Sequence, residues 1–335
     1  MPELSFVFAG VIAFAVLAYV VLDGFDLGIG ILFPVLTAKQ DRDIAMNSVA
    51  PVWDGNETWL VLGGGGLLAG FPLAYAVVMP ALYAPLMAML LALVFRGVAF
   101  EFRWRATDQR RWIWDWSFAG GSIIATFAQG VALGALVQGI RVSERSYAGG
   151  WYDWLTPFSL LTGLALVVGY GLLGATWLVM KTEGDLQQRA RRYASISGVA
   201  TLGLIGIVSL WTPFLNPVYW NRWFQWPTRI FTLVVPVLVA AAAWTLFRGL
   251  ADKNVHVRPF LAALALFVLS FIGLGISFYP HIVPPSLTIV DAAAPDSSLA
   301  FVLVGTAILV PAILAYMAFA YWVFRGKVDA AGGYH

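Results

Sequence analysis

The chain contains no cysteine among its 335 residues. Without a thiol it forms no disulfide, holds no thiolate metal site or iron–sulfur cluster, and attaches no haem covalently. Histidine is nearly as scarce, with three residues in the chain. His256 and His335 stand in polar segments, and His281 alone stands at the end of an apolar run. The chain therefore offers few side chains that could ligate haem iron.

Charged residues are also scarce in this sequence. Charged residues make up 11% of the chain, whereas soluble domains average about 25%. Hydrophobic residues make up 60%, and the mean hydropathy is +0.80. These values indicate an integral membrane protein made mostly of spanning helices, whose backbone hydrogen bonds are satisfied internally. The net charge of +2 and the lack of a P-loop pattern give no indication of a nucleic-acid partner or a nucleotide site.

Nine apolar runs predict membrane-spanning helices, each of which needs about 20 residues. In order, they cover about 5–36, 57–72, 77–100, 115–139, 157–180, 195–215, 229–248, 259–281 and 299–324. The first run is too long for the core of a cleaved signal peptide. The second is short and glycine-rich, and Phe71 and Pro72 alone separate it from the third. We therefore expect an all-α polytopic fold with nine transmembrane helices.

The distribution of positive charge supports that count. Fifteen of the 20 lysines and arginines lie in or beside the odd-numbered loops, which are 37–56, 101–114, 181–194, 249–258 and the C-terminal tail. Four lie in the even-numbered loops. The positive-inside rule then predicts a cytoplasmic C-terminus and an N-terminus on the opposite side. Merging the second and third spans would place the arginines of 103–111 outside, so the nine-span arrangement is favoured.

Four carboxylates stand in or beside the first two spans: Asp23, Asp26, Asp54 and Glu57. A charge at the bilayer centre costs about 2.5–3.5 kcal/mol on insertion scales, so such residues usually mark a pathway or a site. Asp23 follows Leu4 by roughly 28 Å of helix, at 1.5 Å per residue, and therefore lies near the inner edge of the membrane. Arg96 reaches the same depth in the third span, and Glu101 follows it. We predict a buried charge cluster in this layer.

Two interpretations of the cluster stay open. In the structural one, Arg96 neutralises Asp23 or Asp26, because a buried charge needs a partner, and Asp54 caps the second helix. In the functional one, Asp54 and Glu57 belong to a titratable path that carries protons inward from the cytoplasm.

Aromatic and glycine patterns have simpler explanations. The segments 151–155 and 218–227 are rich in tryptophan and tyrosine, which is typical of the lipid–water interface; a quinone-stacking platform is the alternative. Gly24 and Gly28 form a G-x-x-x-G pair, and 63–66 is a run of four glycines. Both patterns predict close helix–helix packing.

Several motifs resemble subunit II of the cytochrome bd quinol oxidases. They are D-G-F-D-L-G-I-G (23–30), N-S-V-A-P-V-W-D-G-N-E-T-W-L (47–60), F-R-G-V-A-F-E-F-R (95–103), W-D-W-S-F-A-G-G-S (114–122, with one glycine more than the family motif) and F-Y-P-H-I-V-P-P-S (278–286). The resemblance covers nearly the whole chain. The chain is short for this family, which favours the cyanide-insensitive branch.

The resemblance implies a subunit of a terminal oxidase in the bacterial inner membrane that oxidises quinol and reduces oxygen to water. Haems b558, b595 and d would be ligated by a partner, subunit I, and this chain would be haemless. The implied fold has two four-helix bundles, 1–139 and 195–335, and one peripheral helix, 157–180. A small single-helix subunit, lipid and a bound quinone are further expected partners.

The resemblance also assigns roles to residues. Asp54 matches the aspartate of the W-D-G-N motif, which lines a proton path from the cytoplasm in the family. Asp23, Asp26 and Arg96 match acidic and basic positions of the first and third helices. Apart from the resemblance, intramembrane carboxylates and glycine-broken helices also suit a transporter or channel, and a purely structural assembly subunit is a third hypothesis.

Overall fold

The computed structural model describes residues 2–328, and these are mostly helical. The helices are α1 Pro2–Leu32, α2 Lys39–Asn47, α3 Trp53–Gly70, α4 Pro72–Ala81, α5 Tyr83–Arg105, α6 Arg111–Gln138, α7 Pro157–Lys181, α8 Gly184–Trp211, α9 Pro217–Phe224, α10 Arg229–Thr232, α11 Val234–Ala251, α12 Arg258–Phe278, α13 Ile289–Ala292 and α14 Asp296–Val323. The described chain also contains two short 3-10 helices, Phe33–Val35 and Thr212–Phe214. It has two antiparallel hairpins: β1 Val142–Ser143 with β2 Ser146–Tyr147, and β3 His281–Val283 with β4 Leu287–Thr288.

Eight segments within residues 2–328 are long and apolar enough to cross a membrane. They contain α1, α5, α6, α7, α8, α11, α12 and α14. The predicted second span, 57–72, is not among them, because the first turns of α3 carry Asp54, Asn56 and Glu57. Nine spans therefore remain a prediction.

Helix α3 nevertheless runs beside α1 over most of its length. Near its start, the Asn56 side chain reaches Asp26 of α1. At its end, Gly70 packs directly against the Phe8 ring. Eighteen helical residues measure about 27 Å, close to the thickness of the hydrocarbon core. The position of α3 is thus compatible with a ninth span.

Several predicted boundaries are wrong by one or more turns. The charged segment 181–194 was expected as a loop, but α8 begins at Gly184. The predicted span 77–100 is divided between α4 and α5, which meet at Leu82, and α5 continues to Arg105. Hydropathy marks the apolar part of a helix, whereas the backbone hydrogen bonds of these helices continue into polar turns.

Glycine allows α1 and α7 to meet backbone to backbone. A Cβ at Gly28 would lie 2.0 Å from the Tyr170 carbonyl oxygen and 2.7 Å from the Gly174 nitrogen. At Gly24 it would lie 2.8 Å from the Tyr170 ring. The close packing predicted for the G-x-x-x-G pair is confirmed. In the run 63–66, by contrast, the first and last glycines face α1 and the middle two face open space.

Helix α7 lies among other helices and not at the periphery. It packs against α1, α6, α8 and α12, and most of its residues from Gly169 onward are buried. The contacts therefore disagree with the prediction that 157–180 is a peripheral helix. The least enclosed long helix is α14, which packs mainly on α1 and α3. The division into bundles at 1–139 and 195–335 stays a prediction.

Candidate functional site

Arg96 is the centre of a buried charge cluster. Its Nη2 donates to Asp23 Oδ1 at 3.1 Å, and its Nη1 donates to Glu57 Oε2 at 2.9 Å. The side chains of Arg96 and Asp23 are fully buried, whereas that of Glu57 is 26% exposed. The guanidinium carbon also lies 5.1 Å from the centroid of the Trp53 ring and 5.2 Å from that of the Phe100 ring. Two carboxylates and two aromatic faces thus compensate a cation that has lost its water.

Asp26 belongs to a second chain of hydrogen bonds. Its Oδ2 accepts from Asn56 Nδ2 at 2.6 Å, and Asn56 Oδ1 accepts from the Tyr321 hydroxyl at 2.8 Å. Asp26 and Asn56 are fully buried. This chain connects α1, α3 and α14. The hydrogen-bonded partner of Arg96 in α1 is therefore Asp23, and Asp26 is held by a neutral amide.

The local sequence explains how the two chains come together. Asp23 and Asp26 are three residues apart on α1 and so share a face. Asn56 and Glu57 are adjacent on α3, and adjacent helical side chains point about 100° apart. Asn56 therefore faces α1 and α14, while Glu57 faces Arg96 on α5.

Asp54 and Glu101 lie outside the buried cluster. Asp54 stands in the first turn of α3 with its side chain exposed, three residues before Glu57. The N-cap residue is Val52, which has no side-chain cap bond, so the capping role considered for Asp54 is wrong. Glu101 is 65% exposed and pairs with Arg105 at 3.8 Å. Its predicted place among the buried charges is also wrong.

A second buried arginine was missed by the sequence prediction. Arg103 is fully buried, and its Nη1 donates to Asp43 Oδ1 at 2.7 Å and its Nε to Asp115 Oδ1 at 2.6 Å. The other oxygen of Asp115 accepts from Arg42 Nη1 at 2.8 Å. These pairs join α2, α5 and α6. The charges were visible in the sequence, but their partners lie 12 to 73 residues apart and follow no local spacing.

A separate, exposed ion pair connects α2 with the loop before α6. Lys39 Nζ donates to Asp108 Oδ1 at 2.9 Å. This hydrogen bond, together with the charges of Lys39 and Arg111, holds the pKa of Asp108 below its usual value. Asp108 therefore stays ionised to a lower pH than an aspartate without these neighbours.

Comparison with known proteins decides the family. Residues 4–324 match the family described as cytochrome bd terminal oxidase subunit II. The chain belongs to this family. It is 30% identical to the cytochrome bd-I ubiquinol oxidase subunit 2 of Escherichia coli K12, over 97% of this chain and 95% of the relative. It is 29% identical to the cytochrome bd ubiquinol oxidase subunit 2 of Bacillus subtilis 168, over 92% of each.

A solved structure shows the same fold. One chain in the structure of the bd oxidase from Geobacillus thermodenitrificans has a TM-score of 0.77 to this chain, at 17% identity. The match covers 97% of this chain and 100% of the other. The resemblance predicted from the motifs is therefore confirmed. As a bd-family subunit II, the protein is a respiratory quinol oxidase component of the bacterial inner membrane.

Neither of the two described histidines, His256 and His281, belongs to a cluster of possible metal ligands. His256 Nδ1 lies 3.2 Å from Arg191 Nη2 and 3.3 Å from Gln187 Nε2. His281 begins β3. Residues 2–328 contain no group of three or more His, Asp or Glu side chains arranged to hold a metal ion. His335 lies outside the described residues.

Proposed function

We propose that the chain works as a haemless core subunit of a bd-type oxidase, bound to a haem-bearing subunit I that reduces oxygen with electrons from quinol. Membership of the family and the names of the E. coli and B. subtilis relatives support this role. The haems, when bound in the partner, supply the oxygen chemistry. This chain supports that partner and delivers protons to it.

The position of Glu57 supports a role in proton delivery. Asp54 is exposed on α3, Glu57 is one turn further and partly exposed, and Glu57 is hydrogen-bonded to Arg96, which also binds Asp23. The ionisable side chains of Asp54, Glu57, Arg96 and Asp23 thus follow one another from the surface of the chain into its interior. Arg96 stays protonated, so it is a fixed counter-charge, and the carboxyls are the groups that take up and release protons.

The balance of charge supports the same role. Three carboxyls, those of Asp23, Asp26 and Glu57, surround one guanidinium. Asp23 Oδ2 and Asp26 Oδ1 are buried and have no hydrogen-bond partner among the described residues. Keeping surplus negative charge in a dry site costs several kcal/mol per ion, which favours binding of a proton by the cluster.

The cluster lies at the cytoplasmic end of the spans in the proposed topology. The lysines and arginines of 37–56, 101–114 and 181–194 are concentrated at this end, and the N-terminus is then periplasmic. Protons would enter from the cytoplasm. Replacing Glu57 by Gln in the assembled oxidase, with the exposed Glu101→Gln as control, tests the route directly.

A difference spectrum tests the oxidase role itself. The complex purified with its partner is expected to show haem bands on reduction, and this chain purified alone to show none. Haem bands from the isolated chain would contradict the haemless role. A haem-free particle that is complete without a partner would instead indicate a transporter or channel.

A further inference from the structure

Helix α14 is held to the rest of the protein by little buried surface. Of its 28 residues, all in the described part of the chain, Leu299 and Met317 are buried. Its last turn nevertheless carries Tyr321, whose hydroxyl donates to Asn56 in the candidate site. Because side-chain packing alone fixes α14 weakly, another contact is needed to keep this hydroxyl in place.

A set of hydrogen bonds just beyond Tyr321 supplies that contact. Lys181, the last residue of α7, donates from Nζ to the carbonyl oxygens of Phe324 and Gly326. Lys327 Nζ donates to the carbonyl oxygen of Thr182 at 2.9 Å. In addition, the backbone nitrogen of residue 328 donates to the Lys181 carbonyl oxygen at 2.9 Å. We call this exchange between 181–182 and 324–328 the C-terminal clamp.

The C-terminal clamp provides hydrogen-bond partners for polar groups whose burial without a partner would be unfavourable. The carbonyl groups at the end of a helix lack partners within the helix, and cations are favoured near them. Lys181 is 6% exposed and has lost most of its water, so its ammonium group also needs acceptors. Lys181 therefore supplies hydrogen-bond donors to these carbonyl groups, and the carbonyl groups supply acceptors to Lys181.

One aromatic residue connects the clamp with the candidate site. Lys181 Nζ lies 5.1 Å from the Trp177 ring centroid. The same Trp177 ring contacts Tyr321 edge to face, with the centroids 6.5 Å apart. Tyr321 is therefore bounded by Trp177 on its ring and by Asn56 on its hydroxyl.

We propose that Lys181 and Lys327 are positioning residues that keep the Tyr321 hydroxyl on Asn56, and through Asn56 keep Asp26 in its hydrogen-bonded place. The effect on turnover rests on the proposed proton-delivery function. The placement of α14 does not depend on that function. The two parts are therefore tested by different measurements.

The first measurement uses the absence of cysteine from the chain. Spin labels at Phe319→Cys on α14 and Ile196→Cys on α8, both at exposed positions, report the distance between the two helices in the assembled oxidase. The complex without the introduced cysteines gives the background from the partner. Lys181→Met and Lys327→Met are expected to broaden the distance distribution. Lys253→Met, at an exposed lysine in the loop before α12, is expected to leave it unchanged.

The second measurement is a double-mutant cycle on oxygen consumption. Tyr321→Phe and Lys327→Met are each expected to slow turnover several-fold at unchanged haem content. The double variant is expected to be no slower than Tyr321→Phe, because both changes act on one hydroxyl group. Multiplicative slowing in the double variant would contradict the positioning role.

The outcomes separate this inference from the proposed function. Unchanged label distances in both lysine variants overturn the inference, whatever the rates. If Glu57→Gln slows turnover but Tyr321→Phe does not, proton delivery stands and the positioning role is overturned. If neither substitution slows turnover, proton delivery fails, and the label distances alone decide whether the clamp places α14.

Discussion

Arg96 and Arg103 stand two turns apart on α5, and each is fully buried between two carboxylates. Arg96 ties α5 to α1 and α3, and Arg103 ties the same helix to α2 and α6. Removing one partner from a buried ion pair is strongly destabilising, because the other charge stays buried without compensation. These two arginines therefore matter more for stability than the exposed charges around them.

Arg103→Met is expected to lower the stability of the assembled complex. Breaking a buried pair costs up to about 3–5 kcal/mol, and here less, because the Asp43 side chain is 27% exposed and Asp115 keeps Arg42. Arg105→Met, two residues further on, breaks a pair that is 81% and 65% exposed and is expected to cost about 0–1 kcal/mol. The melting temperatures of the two variants are measured in parallel. Equal melting temperatures would contradict the expectation that Arg103 contributes more to stability than Arg105.

For individual residues, the sequence predicted the depth of the buried charges better than it predicted their hydrogen-bond partners. Counting residues along the first and third spans placed Asp23, Asp26 and Arg96 at one depth, and the structure brings them together. Asn56 and Tyr321 were missed. A neutral amide beside two conspicuous carboxylates gives no signal of its own, and Tyr321 lies 265 residues from its partner. Contacts at such separation come from tertiary packing and not from local pattern.

Among the helix contacts, the crossing of α1 and α7 leaves the least room for added side-chain atoms. Gly28→Ala is expected to lower the melting temperature and the yield of the complex, since the added Cβ would lie 2.0 Å from the Tyr170 carbonyl oxygen. Gly10→Ala on the same helix meets nothing within 4 Å and is expected to be neutral or slightly stabilising. If both substitutions are tolerated equally, the close approach of α1 and α7 is not required for the fold.

The existence of the helices was easier to predict than their ends. Long apolar runs gave α1, α6, α7, α12 and α14 within a few residues. The polar first turns of α8 and the break between α4 and α5 were missed, because charge and proline affect hydropathy without specifying where hydrogen bonding stops. The family resemblance implied a peripheral place for 157–180, whereas α7 packs against α1, α6, α8 and α12.

The molecule as a whole exposes much apolar surface. Helices α11 and α14 present many large side chains, among them Val237, Trp244, Phe301 and Ile308, each more than 60% exposed. Lipid covers such a surface in a membrane, and so does a partner subunit. Asp54 is also exposed, in the first turn of α3.

The central claim is that the carboxyl pair on α3 delivers protons for oxygen reduction in the assembled complex. Asp54→Asn is therefore expected to slow quinol-driven oxygen consumption by roughly tenfold or more. Haem content per complex is expected to stay near that of the wild type, and Glu101→Gln is expected to keep the wild-type rate. An unchanged rate in Asp54→Asn would contradict the claim. A fall in rate that only follows a loss of haem would show that Asp54 is needed for assembly and not for proton delivery.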